Sequence, residues 1–167
     1  MLKYNYDLKY LDIVNNILEN KEFNKLDRIE HHGITRMDHS LRVSYYSYKI
    51  SKALKLDYQE VARAGLLHDF FLSEENRSFK DRFISTFTHP KKAVTQAETL
   101  FSLSDKEKNI IEAHMFPLYT ALPKYAESWV VSFTDKVVGS YEFLMKFGYK
   151  LSYIMNIYLI FLFNTMK

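Results

Sequence analysis

The chain has 167 residues, of which 47% are hydrophobic and 26% are charged, and its formal net charge is +3. This length and apolar content fit one globular domain with a full core. Cysteine is absent while histidine occurs six times, which excludes disulfides, thiolate zinc sites, iron–sulfur clusters and cysteine nucleophiles. Any metal ion must therefore be held by histidine and carboxylate side chains.

Glycine and proline are scarce, with four and three residues, and a β-rich fold would need more turns than they supply. The sequence therefore predicts an all-α fold, a single-domain helical bundle. The small positive charge comes without a Lys/Arg-rich run, so we expect no nucleic-acid partner. The polar first ten residues do not resemble a signal peptide, and we expect a cytoplasmic location.

Hydrophobic periodicity of about 3.6 residues predicts helices along most of the chain. An amphipathic N-terminal helix from Leu8 to Leu18 ends in the polar stretch 19–24. The second helix begins near Asp38 and ends before Asp57. Together these segments would form the first part of the bundle.

Capping signals mark where later helices begin. Asp57, with a glutamate three residues on, starts the third helix, and Ser104 repeats this pattern for the fifth. Thr88 is placed to cap the fourth helix, in which Pro90 is tolerated because a first-turn amide has no helical partner. The preceding stretch, 72–88, has mixed periodicity and predicts an exposed, mobile loop.

The sixth predicted helix covers 124–148, and a strongly apolar tail follows at 151–163. We expect Trp129 in the core. Apolar residues recur at helical spacing along this segment: Val130, Phe133, Val137, Val138, Tyr141 and Leu144. The apolar tail is shorter than the roughly 20 residues that span a bilayer. It predicts a buried terminal helix or an oligomer face, with peripheral membrane contact as a third interpretation.

Histidine and aspartate side chains occur on successive predicted helices, and a bundle can bring such helices together around one pocket. Any single histidine near a helix end is more often a capping or surface residue than a ligand. Taken together, the candidate metal ligands are His39, His68, Asp69, His89, His114 and Asp135. Asp69, which has two carboxylate oxygens, could bridge an ion held with His39, His68 and Asp135 to a second ion held by the remaining two histidines.

The order of these candidates along the chain resembles the signature of the HD-domain superfamily of metal-dependent phosphohydrolases. His89 and His114 match the two extra histidines of its two-metal members. The flanking words HHGITRMDHSLRV, ARAGLLHDFF and ESWVVSFTDK are similar to those of small bacterial HD hydrolases. The resemblance covers residues 30–143 and implies a helical HD fold with a buried metal pocket.

On this resemblance the chain divides into three parts. Residues 1–29 are an N-terminal helical segment that packs on the domain, residues 30–147 are the HD domain, and residues 148–167 are an apolar C-terminal helix or tail. In many members a small residue and then a lysine follow the His-Asp pair, whereas Phe70 and Phe71 stand here. This departure disfavours the cyclic-dinucleotide phosphodiesterases and leaves open the bacterial hydrolases of diadenosine tetraphosphate.

The resemblance implies a metal-dependent phosphohydrolase that cleaves a phosphate ester or anhydride of a small substrate, with a nucleotide favoured, by metal-bound hydroxide. The alternative is a non-catalytic regulatory module that binds a metal or a nucleotide. Two divalent ions are expected, with Fe or Mn favoured and Zn, Co, Ni and Mg open, because imidazole and carboxylate suit all of these. We expect a small phosphorylated substrate as the partner, and a homo-oligomer is an open alternative to a monomer.

Three residues are predicted to act in catalysis. Asp69 would accept a proton, and Arg36 and Lys136 would stabilise the negative charge that develops on the phosphoryl oxygens. Substrate binding is assigned to Arg36, His32 and Lys92. The competing interpretation of the cations is solvated surface charge, and that of His32 is a packed or capping histidine.

Overall fold

The fold was analysed in a computed structural model of the chain. The structure describes residues 6–31, 34–72 and 79–165, and their side chains except those of 30–31, 79–87 and 158–165. The helices are α1 (Leu8–Leu18), a 3-10 helix (Phe23–Arg28), α2 (Arg36–Ala53), α3 (Tyr58–Leu67), α4 (Phe79–Glu98), α5 (Asp105–Ala113) and α6 (Ala126–Thr165). Two antiparallel strands, β1 (Glu30–His31) and β2 (Ile34–Thr35), precede α2. The predicted all-α fold is confirmed.

Helix α3 lies at the centre of the bundle and contacts each of the other five α-helices. Its buried side chains are small or aliphatic, including Ala62, Ala64 and Leu66, and small residues allow neighbouring backbones to approach closely. Because His68 and Asp69 directly follow this helix, the central position of α3 carries the His-Asp pair into the middle of the molecule. Both residues are buried.

Gly65 marks the closest approach of α3 to α2. A Cβ atom at this position would lie 3.1 Å from Ser44 Cα, which belongs to the backbone of an 18-residue helix. We therefore predict that Gly65→Ala lowers the free energy of unfolding by about 1 kcal/mol or more. The matched control is Gly139→Ala in α6, where a Cβ has no neighbour within 4 Å, and it should gain about 0.5–1 kcal/mol. Urea unfolding of both variants is the measurement, and equal effects would contradict this packing argument.

The predicted helix starts agree with the structure at α3 and α5. Ser104 and Glu107 form a reciprocal capping box at α5, and the Asp57 side chain accepts from the first turn of α3. Helix α2 begins at Arg36 rather than near Asp38, because the Thr35 side chain supplies the cap by accepting from the Asp38 amide.

The loop predicted at 72–88 is wrong from Phe79 onward, since α4 runs from Phe79 to Glu98. Residues 73–78 lie outside the described part of the chain. Pro90 is inside α4 and not in its first turn, so Thr88 does not cap this helix. The phenylalanines at 79, 83 and 87 recur every four residues, which is helical spacing, and this periodicity indicates the helix start better than the proline at 90 does.

Most of the apolar residues that recur along α6 do not face the bundle, and the prediction that Trp129 lies in the core is wrong. Val138 is buried, but Trp129, Phe133, Val137 and Tyr141 are between 51% and 68% exposed, and so is Leu144. The side of α6 that faces the bundle carries mostly polar residues: Ser128, Val131, Asp135, Val138 and Glu142. Hydrophobic periodicity finds the apolar face of a helix but cannot say what covers it.

Helix α6 continues without a break through the boundary predicted between 147 and 148, and ends at Thr165. The described side chains of its last part, 151–157, are all exposed. The prediction that this segment is buried in the chain's own core is therefore wrong for these residues. Across the described residues, none of the helices combines the length and apolarity that a bilayer crossing requires.

Candidate metal centre

The six predicted ligands come together from five different helices or helix ends. We call this set the His/Asp cluster: His39, His68, Asp69, His89, His114 and Asp135. The first lies early in α2, the His-Asp pair follows α3, one histidine lies within α4, another directly follows α5, and the last aspartate lies in α6. The four histidines and Asp69 are each at most 9% exposed, and the Asp135 side chain is 14% exposed.

One half of the cluster is centred on Asp135. Its Oδ1 lies 3.1 Å from His39 Nε2 and 3.5 Å from His68 Nε2. These three residues offer ligand atoms that all lie within 4.8 Å of one another. Ligands of one ion with bonds of about 2.0–2.2 Å stand roughly 3–3.5 Å apart, so the spacing suits coordination.

The other half is centred on Asp69. Its Oδ1 lies 3.3 Å from His89 Nε2 and 3.8 Å from His114 Nε2, and those two nitrogens are 3.0 Å apart. Its Oδ2 lies 3.9 Å from His68 Nε2. The two oxygens of this carboxylate therefore face different parts of the cluster.

Hydrogen bonds at Nδ1 orient three of the imidazole rings. His68 Nδ1 donates to the Gly65 carbonyl at 2.8 Å, and His114 Nδ1 donates to the Ile111 carbonyl at 2.7 Å. Because a carbonyl oxygen only accepts, the proton must be on Nδ1, and the Nε2 lone pair of the neutral ring points into the cluster. Such partners are typical of metal-ligating histidines.

Glu142 orients the third ring and was not predicted from the sequence. Its Oε2 lies 2.8 Å from His39 Nδ1, and its Oε1 accepts from Arg42 Nη1 at 3.1 Å. The residue is only 3% exposed. Its signal in the sequence is a spacing of seven residues from Asp135, which places both carboxylates on one face of α6. A carboxylate on a ligating imidazole fixes its tautomer and raises its basicity.

Charges in the cluster are strongly coupled. Burial disfavours the His39 imidazolium, but hydrogen bonds to Asp135 and Glu142 outweigh it and raise the pKa of His39 to about 10. Burial and the neighbouring His68 lower the pKa of His114 to about 3. Although burial opposes ionisation of Asp135, the hydrogen bond from His39 and the electrostatic interaction with His68 hold its pKa well below the usual value. His114 is therefore a neutral imidazole and Asp135 a carboxylate, which are the ligating forms.

The surroundings of His68 Nε2 show whether these residues fit a bound cation. His68 Nε2 is buried and has no hydrogen-bond partner among the described residues, and a buried polar atom left in this way is costly. Carboxylate oxygens and imidazole nitrogens surround it, which is the donor set of divalent transition metals. The residues present therefore fit a bound divalent ion.

The cations assigned to substrate are placed differently. Arg36 donates to the Phe71 carbonyl at 2.6 Å and its guanidinium lies 3.9 Å from the centroid of the Phe71 ring. Lys136 donates to the His114 carbonyl at 2.9 Å, and burial lowers the pKa of its ammonium group. Lys92 is exposed, and His32 lies outside the described residues. Arg36 and Lys136 thus support the backbone beside two ligands, and their action on substrate stays a prediction.

The family model of the HD domain matches residues 36–139, which is more than half of the chain. The chain therefore belongs to the HD-domain superfamily of metal-dependent phosphohydrolases. HD domains bind divalent metals, and some members are non-catalytic. Comparisons with curated proteins and with solved structures give no match.

The contact of Glu142 with His39 predicts a loss of metal affinity in Glu142→Gln. The amide cannot accept from His39 Nδ1 as strongly as the carboxylate does, so we expect a loss of about 10- to 100-fold. Competitive titration of Mn²⁺ against a chelator measures it. Glu98→Gln is the control, because Glu98 pairs with Lys108 in an exposed ion pair. Equal affinities of the two variants would contradict the proposed role of Glu142.

Proposed function

We propose that the chain is a metal-dependent phosphohydrolase that cleaves a phosphate ester or anhydride of a small substrate, with a nucleotide favoured. The observation that carries the proposal is the convergence of four ligand-type side chains around the buried His68 Nε2: His39, Asp69, His114 and Asp135. The family assignment supports it, since HD domains are generally phosphohydrolases. The nucleotide preference rests on family resemblance alone.

We further propose two divalent ions, with Fe or Mn favoured. His39, His68 and Asp135 would hold one, and His89 with His114 the other, while Asp69 would reach both through its two oxygens. Two bound cations supply Lewis acidity and a water molecule that ionises near neutral pH. Among the described residues, Asp69 is the one candidate ligand that faces both groups of histidines through separate oxygens. We therefore propose that it would bridge the two ions and accept a proton.

The residues next to the ligands would position the centre. Arg36 and Lys136 hold the carbonyl groups of Phe71 and His114, so each secures a segment that carries a ligand. The Phe71 ring stacks on His89 at 5.3 Å, which would restrict the orientation of that imidazole. Lys92, exposed on α4 three residues after His89, would attract an anionic phosphate from the solvent side.

The second candidate function is a non-catalytic module that binds a metal or a nucleotide. The observation that favours it is the engagement of both Arg36 and Lys136 by backbone carbonyls. Cations whose N–H groups already donate to backbone carbonyls would contribute less to stabilising the negative charge that develops on a phosphoryl group. The ligand cluster itself is compatible with either function.

A substrate panel separates the two functions. Metal-free protein is reconstituted with Mn²⁺ or Fe²⁺ and tested for phosphate release from nucleoside mono-, di- and triphosphates, dinucleoside polyphosphates and simple phosphate monoesters. If the chain is a phosphohydrolase, we expect turnover of at least one of these substrates, and this turnover should stop when a chelator removes the metal. Metal binding without turnover of any substrate in the panel would favour the binding module.

A further inference from the structure

Helix α6 carries a repeat of exposed apolar side chains at alternating spacings of four and three residues. We call these residues the α6 seam: Phe133, Val137, Leu144, Phe147, Leu151 and Ile154. Each is between 50% and 68% exposed, and Ser140 occupies the one polar position of the repeat. An alternating four-three repeat is the spacing with which one helix packs along another.

The seam faces away from the domain. The residues of α6 that face the bundle, such as Val131, Asp135, Val138 and Glu142, fall at other positions of the same repeat, on the opposite side of the helix. The seam therefore runs along the outer side of α6 from the middle of the domain to its last described side chains. In the described part of the chain these side chains are at least half exposed, so a second helix has access to them.

Polar side chains of the projecting part of α6 avoid the seam. After Glu142, the last acidic residue of the chain, five polar or amphipathic residues lie on the side opposite to it: Lys146, Tyr149, Ser152, Tyr153 and Asn156. The residues that flank the seam are mostly apolar, including Tyr141, Phe143, Met155 and Ile157, each about half exposed. The projecting helix thus has one apolar and one mainly polar side.

The exposed apolar surface is large enough for a stable interface. If each of the ten seam and flanking side chains exposes on the order of 100 Å², they offer roughly 1,000 Å². A standard interface buries about 800 Å² per partner, and a typical monomer exposes patches of a few hundred Å². In addition, all described side chains from 143 to 157 are exposed, and a helix without packing is marginal in water. The projecting helix therefore needs a partner.

We propose that the α6 seam pairs with the α6 seam of a second copy of this chain, in a two-fold symmetric coiled-coil dimer. A two-fold interface uses the same patch on both copies, and an apolar four-three seam is self-complementary. A helix lying on a lipid surface would instead be expected to carry many Lys or Arg on its polar side, whereas the described side chains after Glu142 include two charged residues, Lys146 on the polar side and Lys150 at the edge of the seam. A groove of about 870 Å³ between α2 and α6, which Tyr46, Ile50 and Phe133 help to line, lies beside the N-terminal part of the seam.

The test is the molar mass of the full chain in solution, measured by light scattering after size exclusion. Wild type should be a dimer of about twice the 19.9 kDa chain mass, and Leu144→Glu/Leu151→Glu should raise the dissociation constant by at least about 100-fold. The control Tyr149→Glu/Asn156→Glu alters the polar side and should remain dimeric. Circular dichroism and metal binding report whether each variant is folded.

Because the chain has no cysteine, single introduced cysteines give a second readout that does not depend on the stability of the glutamate variants. Leu144→Cys and Leu151→Cys should be linked between two copies by a short bis-maleimide, whereas Tyr149→Cys should not. Three results would overturn the proposal: a monomeric wild type at tens of micromolar, linkage through Tyr149→Cys as efficient as through the seam, or a monomer that sediments with vesicles of phosphatidylcholine and phosphatidylserine.

Discussion

Asp69→Ala is expected to reduce kcat/KM for the best substrate by at least about 10³-fold, because we propose that this carboxylate would bridge two ions and align them with the phosphoryl group. In the structure Asp69 faces His68 with one oxygen, and His89 and His114 with the other. Its removal leaves the two halves of the cluster without a shared ligand. Phosphate release by reconstituted protein is the measurement.

Asp12→Ala is the matched control for this variant, since Asp12 is an exposed carboxylate of α1. It should keep the wild-type rate. Thermal unfolding of metal-free Asp69→Ala shows whether the fold survives, so that loss of activity is not confused with loss of structure. A folded Asp69→Ala variant with wild-type turnover would contradict the proposed mechanism.

Metal binding is expected to tighten by about tenfold per pH unit between pH 6.5 and 9, because an ion at His39 Nε2 must displace a proton. The pKa of His39 in the metal-free protein is raised to about 10 by Asp135 and Glu142 against the effect of burial. The proton therefore competes with the metal throughout this range. Chelator-buffered Mn²⁺ titrations at several pH values measure the slope, and an affinity that does not change with pH would contradict it.

The raised pKa of His39 also makes the stability of the metal-free protein depend on pH, and this stability falls as the pH rises. A folded-state pKa that is raised above the unfolded value stabilises the fold fully below about pH 6.5, and this contribution is lost as the pH rises towards 10. We therefore expect the difference in unfolding free energy between wild type and His39→Gln to shrink over that interval. Urea titrations without metal test this, and a difference that grows as the pH rises would contradict a raised pKa of His39.

Much of the fold was predictable because local signals agree with the tertiary structure. The capping box at Ser104 and the cap at Asp57 depend on contacts within four residues, and such contacts form in the same way whatever packs around them. The candidate ligands of the cluster are predicted from their order along the chain and from the family resemblance. Their convergence follows from α3, whose small residues bring neighbouring helices against the His-Asp pair.

Other features depended on long-range context. The burial of Glu142 is explained by its contacts with His39 and Arg42 in α2, about 100 residues earlier, which no local pattern reveals. Likewise, the periodicity of α6 predicts a helix and the bulk of Trp129 predicts a core residue, but neither signal reveals which side of the helix faces the bundle. The structure has the polar side inward because that side supplies Asp135 and Glu142 to the cluster.

The two sides of helix α6 thus have different proposed roles. Its inner side contributes the candidate ligand Asp135 and the carboxylate that orients His39, and its outer side carries the seam. Pairing of two seams would restrain the helix along its length and with it the positions of Asp135 and Glu142. The cluster and the proposed dimer are nevertheless separate claims, since the cluster ligands all come from one copy of the chain.

The most direct test of the central claim is the metal content of purified protein after reconstitution and removal of loosely bound ions, measured by elemental analysis. We expect about two divalent ions per wild-type chain and a marked loss of bound metal in Asp69→Ala, whereas Asp12→Ala should bind as much metal as wild type. A wild-type chain that retains no metal, or an Asp69→Ala variant that retains as much as wild type, would contradict it.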